Sequence, residues 1–292
     1  ISGGIEPSIR KILDDGGVPA LQGSTEGVGA VAAWLDWNRP LPEETEAPPP
    51  LPADLLAELD TCGGIVPYAL STRVLAHFGI SALCERLTQT PEEAKAAAEA
   101  IGYPVALKGI SPDITHKTET GLVKLNITDA GALRQAWDEL ERSMNLHHPD
   151  ARREGMLIQS MVTGDVVETI AGVNCDPAFG SAVVVGLGGI FVELLRDVSL
   201  ELAPLSPARA KAMINRLQAA KLLQGFRGKQ PADIAALEET LVRLGRMAHA
   251  LGERLVSLDL NPLMVLPEGQ GVRIVDIVMQ ARPSGDSPKH LP

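Results

Sequence analysis

The stretch "VSLDLNPLMVLPEGQGVRIVDIVMQAR", residues 256–282, carries the clearest geometric prediction in the chain. Side chains alternate between the two faces of a strand, so Ser257, Asp259 and Asn261 share one face while the valine and leucines between them share the other. The segment "PEGQG" is typical of a turn. If the turn centres on residues 268 and 269, the hairpin brings Asn261 opposite Asp276, with Cβ atoms about 5 Å apart.

Two oxygen-bearing side chains that face each other form a hard-oxygen cluster. Mg²⁺ favours such a site because it takes one or two protein oxygens and completes its octahedron with water and nucleotide phosphates. The alternative interpretation is a polar strand face that is open to solvent. Pro262 removes a ladder donor, which argues against an ordinary central strand at this position.

Composition limits the class of protein. The chain has 292 residues, of which 45% are hydrophobic, and this length suits about two compact units. Its net charge of −11 would repel a phosphate backbone, so we expect no nucleic-acid partner. The longest apolar run, residues 182–195, is interrupted by glycines and is shorter than the ~20 residues that span a bilayer, so we expect no membrane partner.

The amino terminus and the cysteines give an expectation about location. The chain opens on Ile1 without a methionine or a signal-peptide pattern, and we expect that a further part of the protein precedes it. Its 3 cysteines lack the spacing of a disulfide framework or a metal clip, which is typical of a reducing compartment. These observations predict a cytoplasmic protein.

The order of the sequence patterns predicts the domain organisation. Residues 39–53 combine dense proline with acidic charge and form a linker between residues 1–38 and 54–292. In the longer part, helical and strand patterns alternate, which indicates an α/β or α+β architecture. The segment "DVSLELAPL" alternates apolar and polar residues and predicts a half-buried strand, with Val198, Leu200 and Leu202 on its apolar face.

Residues 105–126, "VALKGISPDITHKTETGLVKLN", place cationic side chains beside a strand. Lys108 ends the strand pattern "PVALK", where an ammonium group can reach a nucleotide phosphate; a surface lysine is the alternative. A neutral imidazole at His116 can accept a phosphoryl group, and the neighbouring Lys117 would favour the charged product. A structural or solvated histidine is the alternative interpretation.

The segment "VVVGLGGIFVE", residues 183–193, places glycines directly after an apolar strand. Gly186, Gly188 and Gly189 allow backbone amides to surround a phosphate, although a tight turn explains them as well. The segment lacks the Gly-Lys-Ser/Thr sequence of a P-loop and the spacing of a dinucleotide fingerprint.

Several long segments together carry a family resemblance: "IGYPVALKGISPDITHKTETGLVKL", "GMLIQSMVTGDVVETIAGVNCDPAFGSAVVVGLGGIFVELLRDVSLELAPL", "LLQGFRGKQP" and "LDLNPLMV". In this order they resemble the ATP-grasp domain of the NDP-forming acyl-CoA synthetases, relatives of succinyl-CoA synthetase and ADP-forming acetyl-CoA synthetase. The resemblance implies an α+β ATP-grasp fold of two lobes. The segment "GVPALQGSTEGVGAVAAWL" within residues 1–38 resembles the tail of the α/β, flavodoxin-like CoA-ligase domain that precedes ATP-grasp in fused members.

The resemblance also implies a role for individual residues. Lys108 would contact the nucleotide phosphates and Glu168 is the acidic residue that follows the hinge. His116, next to Lys117, would pass a phosphoryl group between a first phosphohistidine and ADP. Residues that would surround adenine through backbone groups are Gln159, Ser160, Met161 and Val162; those of the active-site glycine loop are Gly186, Gly188 and Gly189; and those of the magnesium site are Asn261, Asp276 and the neighbouring Asp259.

The family relationship further implies the reaction acid + CoA + ATP ⇌ acyl-CoA + ADP + phosphate in the full-length enzyme. It implies Mg²⁺ and ATP or ADP as cofactors, CoA in the full-length enzyme, CoA-binding and CoA-ligase domains of the same or a partner chain, and an oligomer. The family commonly has two glycines where this chain has Gly121 and Leu122. Two alternatives are a non-catalytic nucleotide-sensing module and an ATP-grasp carboxylate–amine ligase, which would not require His116.

Overall fold

The computed structural model describes residues 6–17, 24–37, 48–114, 120–189, 197–225, 228 and 230–283. His116 and Lys117 lie outside the described residues. The chain divides into two compact units, Ile1–Glu43 and Glu44–Pro292, and the division falls within the predicted linker. In the described part of the chain, no helix is long and apolar enough to cross a membrane.

The first unit contains two described helices, α1 (Pro7–Asp15) and α2 (Ser24–Trp37). Val28 and Leu35 on α2 are exposed. That this unit is the tail of a CoA-ligase domain stays a prediction.

Six helices are described in the second unit, and most begin at a side chain that caps the first turn. Their bounds are α3 (Ala53–Asp60), α4 (Tyr68–His77), α5 (Pro91–Ile101), α6 (Ala130–His147), α7 (Pro207–Arg216) and α8 (Ile234–Leu251). Thr90 accepts a hydrogen bond from the backbone of Glu93 at 3.2 Å, and Asp129 accepts one from Ala132 at 2.9 Å. Such caps satisfy backbone amides that have no partner within the helix.

The smaller sheet has four antiparallel strands in the order β2-β5-β3-β4. These are β2 (Glu85–Thr88), β3 (Val105–Ile110), β4 (Val123–Ile127) and β5 (Gly155–Ser160). Helices α5 and α6 pack against one face, where Val105, Leu107 and Leu140 are fully buried. The opposite face, which carries Ala106 and Lys108, is therefore turned away from these helices.

The position of Lys108 within its strand differs from the prediction. The strand pattern was expected to end at Lys108, but β3 continues to Ile110 because Gly109 and Ile110 pair with Met156 and Gly155 of β5. The residues before and after Lys108 are therefore both paired with β5. A rigid strand, rather than a loop, sets the direction of its side chain.

The larger sheet has seven strands in the order β1-β11-β9-β6-β7-β8, with β10 paired to β9. They are β1 (Gly64–Ile65), β6 (Val167–Asp176), β7 (Gly180–Leu187), β8 (Val198–Leu202), β9 (Leu255–Val265), β10 (Val272–Ile274) and β11 (Ile277–Ala281). Helices α7 and α8 contact one face, and the main core lies between them and the sheet. Gly172 on β6 permits a close approach to β9, because a Cβ there would lie 2.3 Å from the Leu258 carbonyl oxygen.

The C-terminal hairpin has the predicted register. Leu263 pairs with Ile274, Leu260 pairs with Ile277, and the Val275 amide donates to the Pro262 carbonyl at 3.1 Å. The same register places Asn261 opposite Asp276. The prediction made from alternation and turn position is therefore confirmed.

The expectation that Pro262 does not belong to an ordinary central strand is met only in part. Strand β9 is central, between β6 and the hairpin strands, and contains Pro262 in its interior. Its pairing with β6 shifts at this point, since Thr169 pairs with Leu263 and Ala171 pairs with Leu260. The strand thus has one extra residue opposite Ile170, and such a bulge accommodates a proline that cannot donate to the ladder.

Candidate functional site

A cleft of about 370 Å³ opens between the two sheets. Strands β3, β4 and β5 line it from the smaller sheet, and strands β6 and β9 with the β10–β11 connection line it from the larger sheet. The lining residues are Leu83, Ala106, Lys108, Val123, Leu125, Gln159, Ser160, Met161, Val162, Glu168, Asn261, Pro262, Met264, Val275 and Asp276. Most of the predicted site residues are therefore brought together in one place.

Lys108 connects the smaller sheet to the C-terminal hairpin. Its side chain is buried, with 4% exposed, and its Nζ donates a hydrogen bond to the Val275 carbonyl oxygen at 2.7 Å. Val275 directly precedes Asp276, so the ammonium group lies beside the predicted metal-binding hairpin. The alternative of a surface lysine is wrong, because the residue faces a cleft between sheets.

Asn261 and Asp276 both line the cleft and lie opposite each other in the hairpin. Oδ1 of Asp276 accepts a hydrogen bond from the Ile277 amide at 3.0 Å, which fixes one end of the carboxylate. Asp259 is exposed two residues earlier on β9, where it pairs with Val278 and Gly172, and does not line the cleft.

The donor set of the hairpin fits Mg²⁺. An amide oxygen and a carboxylate are hard donors, and Glu168 supplies a further carboxylate to the cleft lining. Among the described residues, no group of three or more His, Cys, Asp and Glu side chains is placed to hold a metal. The arrangement therefore suits a cation that takes few protein oxygens and completes its shell with other ligands.

Gln159 has a structural side chain. It is 1% exposed, and its Nε2 donates to Glu85 Oε2 at 2.8 Å and to the Val275 carbonyl at 3.1 Å. Its backbone lies within the sheet, paired with Glu85 on one side and Ala106 on the other. Met161 and Val162 follow the end of β5, and in the described part of the chain their backbone groups have no hydrogen-bond partner.

Glu85 is a half-buried acidic residue that the sequence patterns did not reveal. Its Oε1 accepts a hydrogen bond from the Tyr68 hydroxyl at 2.8 Å, and its Oε2 accepts the one from Gln159. Burial raises the pKa of the Glu85 carboxyl, although these two hydrogen bonds and the charge of Lys108 oppose the increase. Burial and the neighbouring Glu85 raise the pKa of Tyr68 as well.

The structure does not place the glycines of the predicted loop in the cleft. Gly186 lies inside β7, where it pairs with Ile170 and Val198, and a Cβ there would lie 2.9 Å from Val198 Cγ1. The Gly188 amide donates to the Glu168 carbonyl at 2.7 Å, and a Cβ at Gly188 would lie 3.0 Å from Glu168 Cβ. Close packing thus explains these two glycines, and neither they nor Gly189 line the cleft.

The segment that carries His116 and Lys117 lies outside the described residues, but both of its ends are described. Ile114 before it is buried, and Leu122 after it is fully buried in the core of the smaller sheet and α6. The Leu122 carbonyl accepts a hydrogen bond from the Gly109 amide at 2.9 Å. The leucine at the position where the family that the sequence resembles commonly has glycine therefore packs inward.

Comparison with known proteins decides the family. Residues 64–280 match the sequence profile of an ATP-grasp domain. The chain belongs to the ATP-grasp family. The predictions of an α+β architecture and of an ATP-grasp fold are confirmed.

Two relatives are similar to this ATP-grasp chain over most of its length. The β subunit of ADP-forming acetate–CoA ligase II from Pyrococcus furiosus is 40% identical over 204 residues, which are 70% of this chain and 86% of the relative. ADP-forming acetate–CoA ligase I from Archaeoglobus fulgidus is 38% identical over 219 residues. That match covers 75% of this chain but only 32% of the relative.

Solved structures give the same relationship. Acetyl-coenzyme A synthetase 1 from Ca. Korarchaeum cryptofilum, in complex with coenzyme A and Ca-AMPCP, has a TM-score of 0.73 and 38% identity, covering 78% of this chain and 98% of that chain. A second structure of that protein contains Mg-AMPPCP, with a phosphohistidine segment pointing towards the nucleotide binding site. It has a TM-score of 0.65 and 36% identity, and the match covers 78% of this chain and 99% of that chain.

Proposed function

We propose that this chain is the nucleotide-binding part of an NDP-forming acyl-CoA synthetase and that its cleft binds Mg-ATP or Mg-ADP. The observation that carries the proposal is the contact between Lys108 and Val275, which brings a buried cation beside Asn261 and Asp276. A cation and a hard-oxygen pair at one cleft are the groups that a magnesium–polyphosphate complex requires.

In this proposal each wall of the cleft has its own task. Lys108 neutralises phosphate charge, and the backbone of Met161 and Val162 hydrogen-bonds the adenine edge. Asn261 and Asp276 would hold Mg²⁺, with Asp259 outside the cleft; when bound, the ion supplies positive charge to the phosphates. Phosphoryl transfer needs mainly positioning and charge neutralisation from the protein. Glu168 lines the cleft and is exposed, and its catalytic role stays a prediction. The proposed contact of Gly186, Gly188 and Gly189 with the nucleotide stays a prediction as well.

His116 is the proposed phosphoryl carrier. A neutral ring nitrogen attacks the γ-phosphorus of ATP, a nitrogen–phosphorus bond forms, and the bond between the γ-phosphorus and the β–γ bridging oxygen breaks to release ADP. Lys117 would stabilise the resulting charge. The relative whose phosphohistidine segment points towards its nucleotide binding site supports a histidine as carrier.

The complete reaction requires groups beyond the ATP-grasp domain. We propose acid + CoA + ATP ⇌ acyl-CoA + ADP + phosphate, with CoA and the acid bound by CoA-binding and CoA-ligase domains of the same or a partner chain. The difference in length between the Pyrococcus β subunit and the Archaeoglobus ligase supports such a division of labour. In the same proposal residues 1–38 end a CoA-ligase domain, and the protein is a cytoplasmic oligomer.

Exchange of label between ADP and ATP tests the proposed function. We expect the chain with Mg-ATP and radiolabelled ADP to move label into ATP, because the γ-phosphoryl group resides transiently on the protein. A nucleotide-sensing module would bind Mg-ADP but would not exchange label. Binding without exchange in the chain and in its complete enzyme would therefore contradict the proposed transfer.

Replacing Asp276 by asparagine tests the metal-binding hairpin. We expect Asp276→Asn to reduce the gain in ADP affinity on adding Mg²⁺ about 10-fold, because a carboxylate is lost from the site. Titration calorimetry with and without Mg²⁺ measures this gain. Asp259→Asn is the matched comparison and should change it less than about 2-fold. The opposite ranking of the two variants would place the metal at Asp259 and contradict the assignment to Asp276.

A further inference from the structure

We propose that Glu85 is a positioning residue that holds Lys108 and Gln159 in the arrangement that receives the nucleotide phosphates. The inference rests on the proposed function, in which Lys108 binds phosphate. The sequence patterns predicted no role for Glu85. Glu85 acts through its neighbours rather than by touching nucleotide, since it is not among the residues that line the cleft.

The smaller sheet places the three side chains on one face. Glu85 pairs with Gln159, and Gln159 pairs in turn with Ala106. Directly opposed residues share a face, and Lys108 follows Ala106 by two residues, so its side chain lies on that face too. The strand order therefore fixes Glu85, Gln159 and Lys108 as neighbours across three strands.

A continuous set of hydrogen bonds joins this face to the hairpin. Glu85 accepts from Gln159 at 2.8 Å, Gln159 donates to the Val275 carbonyl at 3.1 Å, and Lys108 donates to the same carbonyl at 2.7 Å. Both partners of the Gln159 amide nitrogen are acceptors only. The amide must therefore present its NH₂ group to them, and Glu85 determines which way the amide is turned.

Tyr68 fixes the other end of the carboxylate. Its hydroxyl donates to Oε1 at 2.8 Å, so both Glu85 oxygens are used and the side chain is held in one position. Tyr68 is itself 6% exposed, and its contact with Glu85 is half-buried. A carboxylate held in this way supplies a fixed negative charge near the buried ammonium of Lys108.

The negative charge of Glu85 compensates the positive charge of Lys108 in the empty and in the filled cleft. A buried ammonium group is costly without a compensating charge. Asp276 also lies near this cluster, but in the proposed function it faces a divalent cation. Glu85 remains beside Lys108 whether or not the cleft is filled, so the lysine keeps its alignment on the hairpin.

A double-mutant cycle tests the inference. Mg-ADP affinity is measured by calorimetry on the full chain for Glu85→Ala, Lys108→Met and the double variant. We expect losses of about 10-fold for Glu85→Ala and about 100-fold for Lys108→Met. Because Glu85 acts through Lys108, the double variant should bind within about 2-fold of Lys108→Met alone. Independent losses that multiply to about 1,000-fold would overturn the positioning role.

Further variants separate this inference from a general loss of folding and from the proposed function. Glu85→Gln keeps the shape of the side chain, and its amide can accept a hydrogen bond from Gln159 and donate one to Tyr68, so only the charge is removed. We expect about 3-fold weaker Mg-ADP binding and unchanged adenosine binding. Equal losses for adenosine and Mg-ADP would indicate a merely structural role and contradict the inference. Glu99→Ala, at an exposed position of α5, is the control and should leave both affinities unchanged.

The two possible failures are distinguishable. If Lys108→Met binds Mg-ADP as the unmodified chain does, the proposed function is wrong. If Lys108→Met weakens binding but neither Glu85→Ala nor Glu85→Gln does, the proposed function stands and the positioning role of Glu85 is wrong. Thermal unfolding without ligand identifies a variant that has not folded. If Glu85→Ala does not fold, Mg-ADP binding by Glu85→Gln decides whether Glu85 positions Lys108.

Discussion

Replacing Lys108 by methionine is expected to weaken Mg-ADP binding about 100-fold. A charged hydrogen bond contributes about 1.5–3 kcal/mol, and this ammonium group is buried in the cleft, where screening by water is weak. Methionine has a similar length and fills the same volume, so the β3 strand should keep its packing. Titration calorimetry at fixed ionic strength measures the loss.

Lys124 provides the matched control for this variant. It lies on the neighbouring strand β4, is 39% exposed and pairs with Glu139 at 2.6 Å, outside the cleft lining. Surface ion pairs contribute little, so Lys124→Met should change Mg-ADP affinity less than about 2-fold. Equal affinities for the Lys108 and Lys124 variants would remove Lys108 from the phosphate site.

Replacing His116 by asparagine is expected to reduce label exchange between ADP and ATP by at least about 1,000-fold. Asparagine has no nucleophilic nitrogen that can accept a phosphoryl group, so the transfer has no carrier. Mg-ADP binding should stay within about 3-fold of the unmodified chain, because the nucleotide contacts assigned here lie on other residues. The two measurements together separate transfer from binding.

The exposed His147 at the end of α6 provides the control, and His147→Asn should exchange label at the normal rate. Exchange that persists unchanged in His116→Asn would contradict the relay. An ATP-grasp carboxylate–amine ligase, which requires no such histidine, would then be the better explanation of the binding data.

The parts of the site that were predicted correctly depend on local rules. The period of two along a strand and the turn residues fix the register of the hairpin, so Asn261 and Asp276 were found opposite each other. The start of α5 is likewise set locally, since the Thr90 side chain caps it by accepting a hydrogen bond from the Glu93 amide. Each of these features is determined by residues that are close in sequence.

The parts that were missed depend on contacts between distant residues. Glu85 and Gln159 are 74 positions apart, and neither stands out until β2 and β5 are paired. The burial of Lys108 also depends on Val275, which is 167 positions away. A single sequence contains no local signal for such pairs, because charge and spacing are compatible with a solvent-exposed strand.

Strand β8 shows how tertiary contacts override alternation. The prediction of a strand was correct, but Val198, Leu200 and Leu202 are exposed by 48%, 57% and 36%. The other face is taken by Glu201, which binds Arg209 and Arg216 of α7. Because an ion-pair network occupies the side that faces the helix, the apolar residues are turned outwards.

We propose that Lys108 and the hairpin oxygens converge on the polyphosphate of one bound nucleotide. A crystal structure of the chain with Mg-ADP is the decisive measurement. We expect Lys108 Nζ within hydrogen-bond distance of a phosphate oxygen, and Asn261 and Asp276 on the magnesium bound to that same nucleotide. A nucleotide bound elsewhere, or one in the cleft that touches neither Lys108 nor the hairpin, would contradict it.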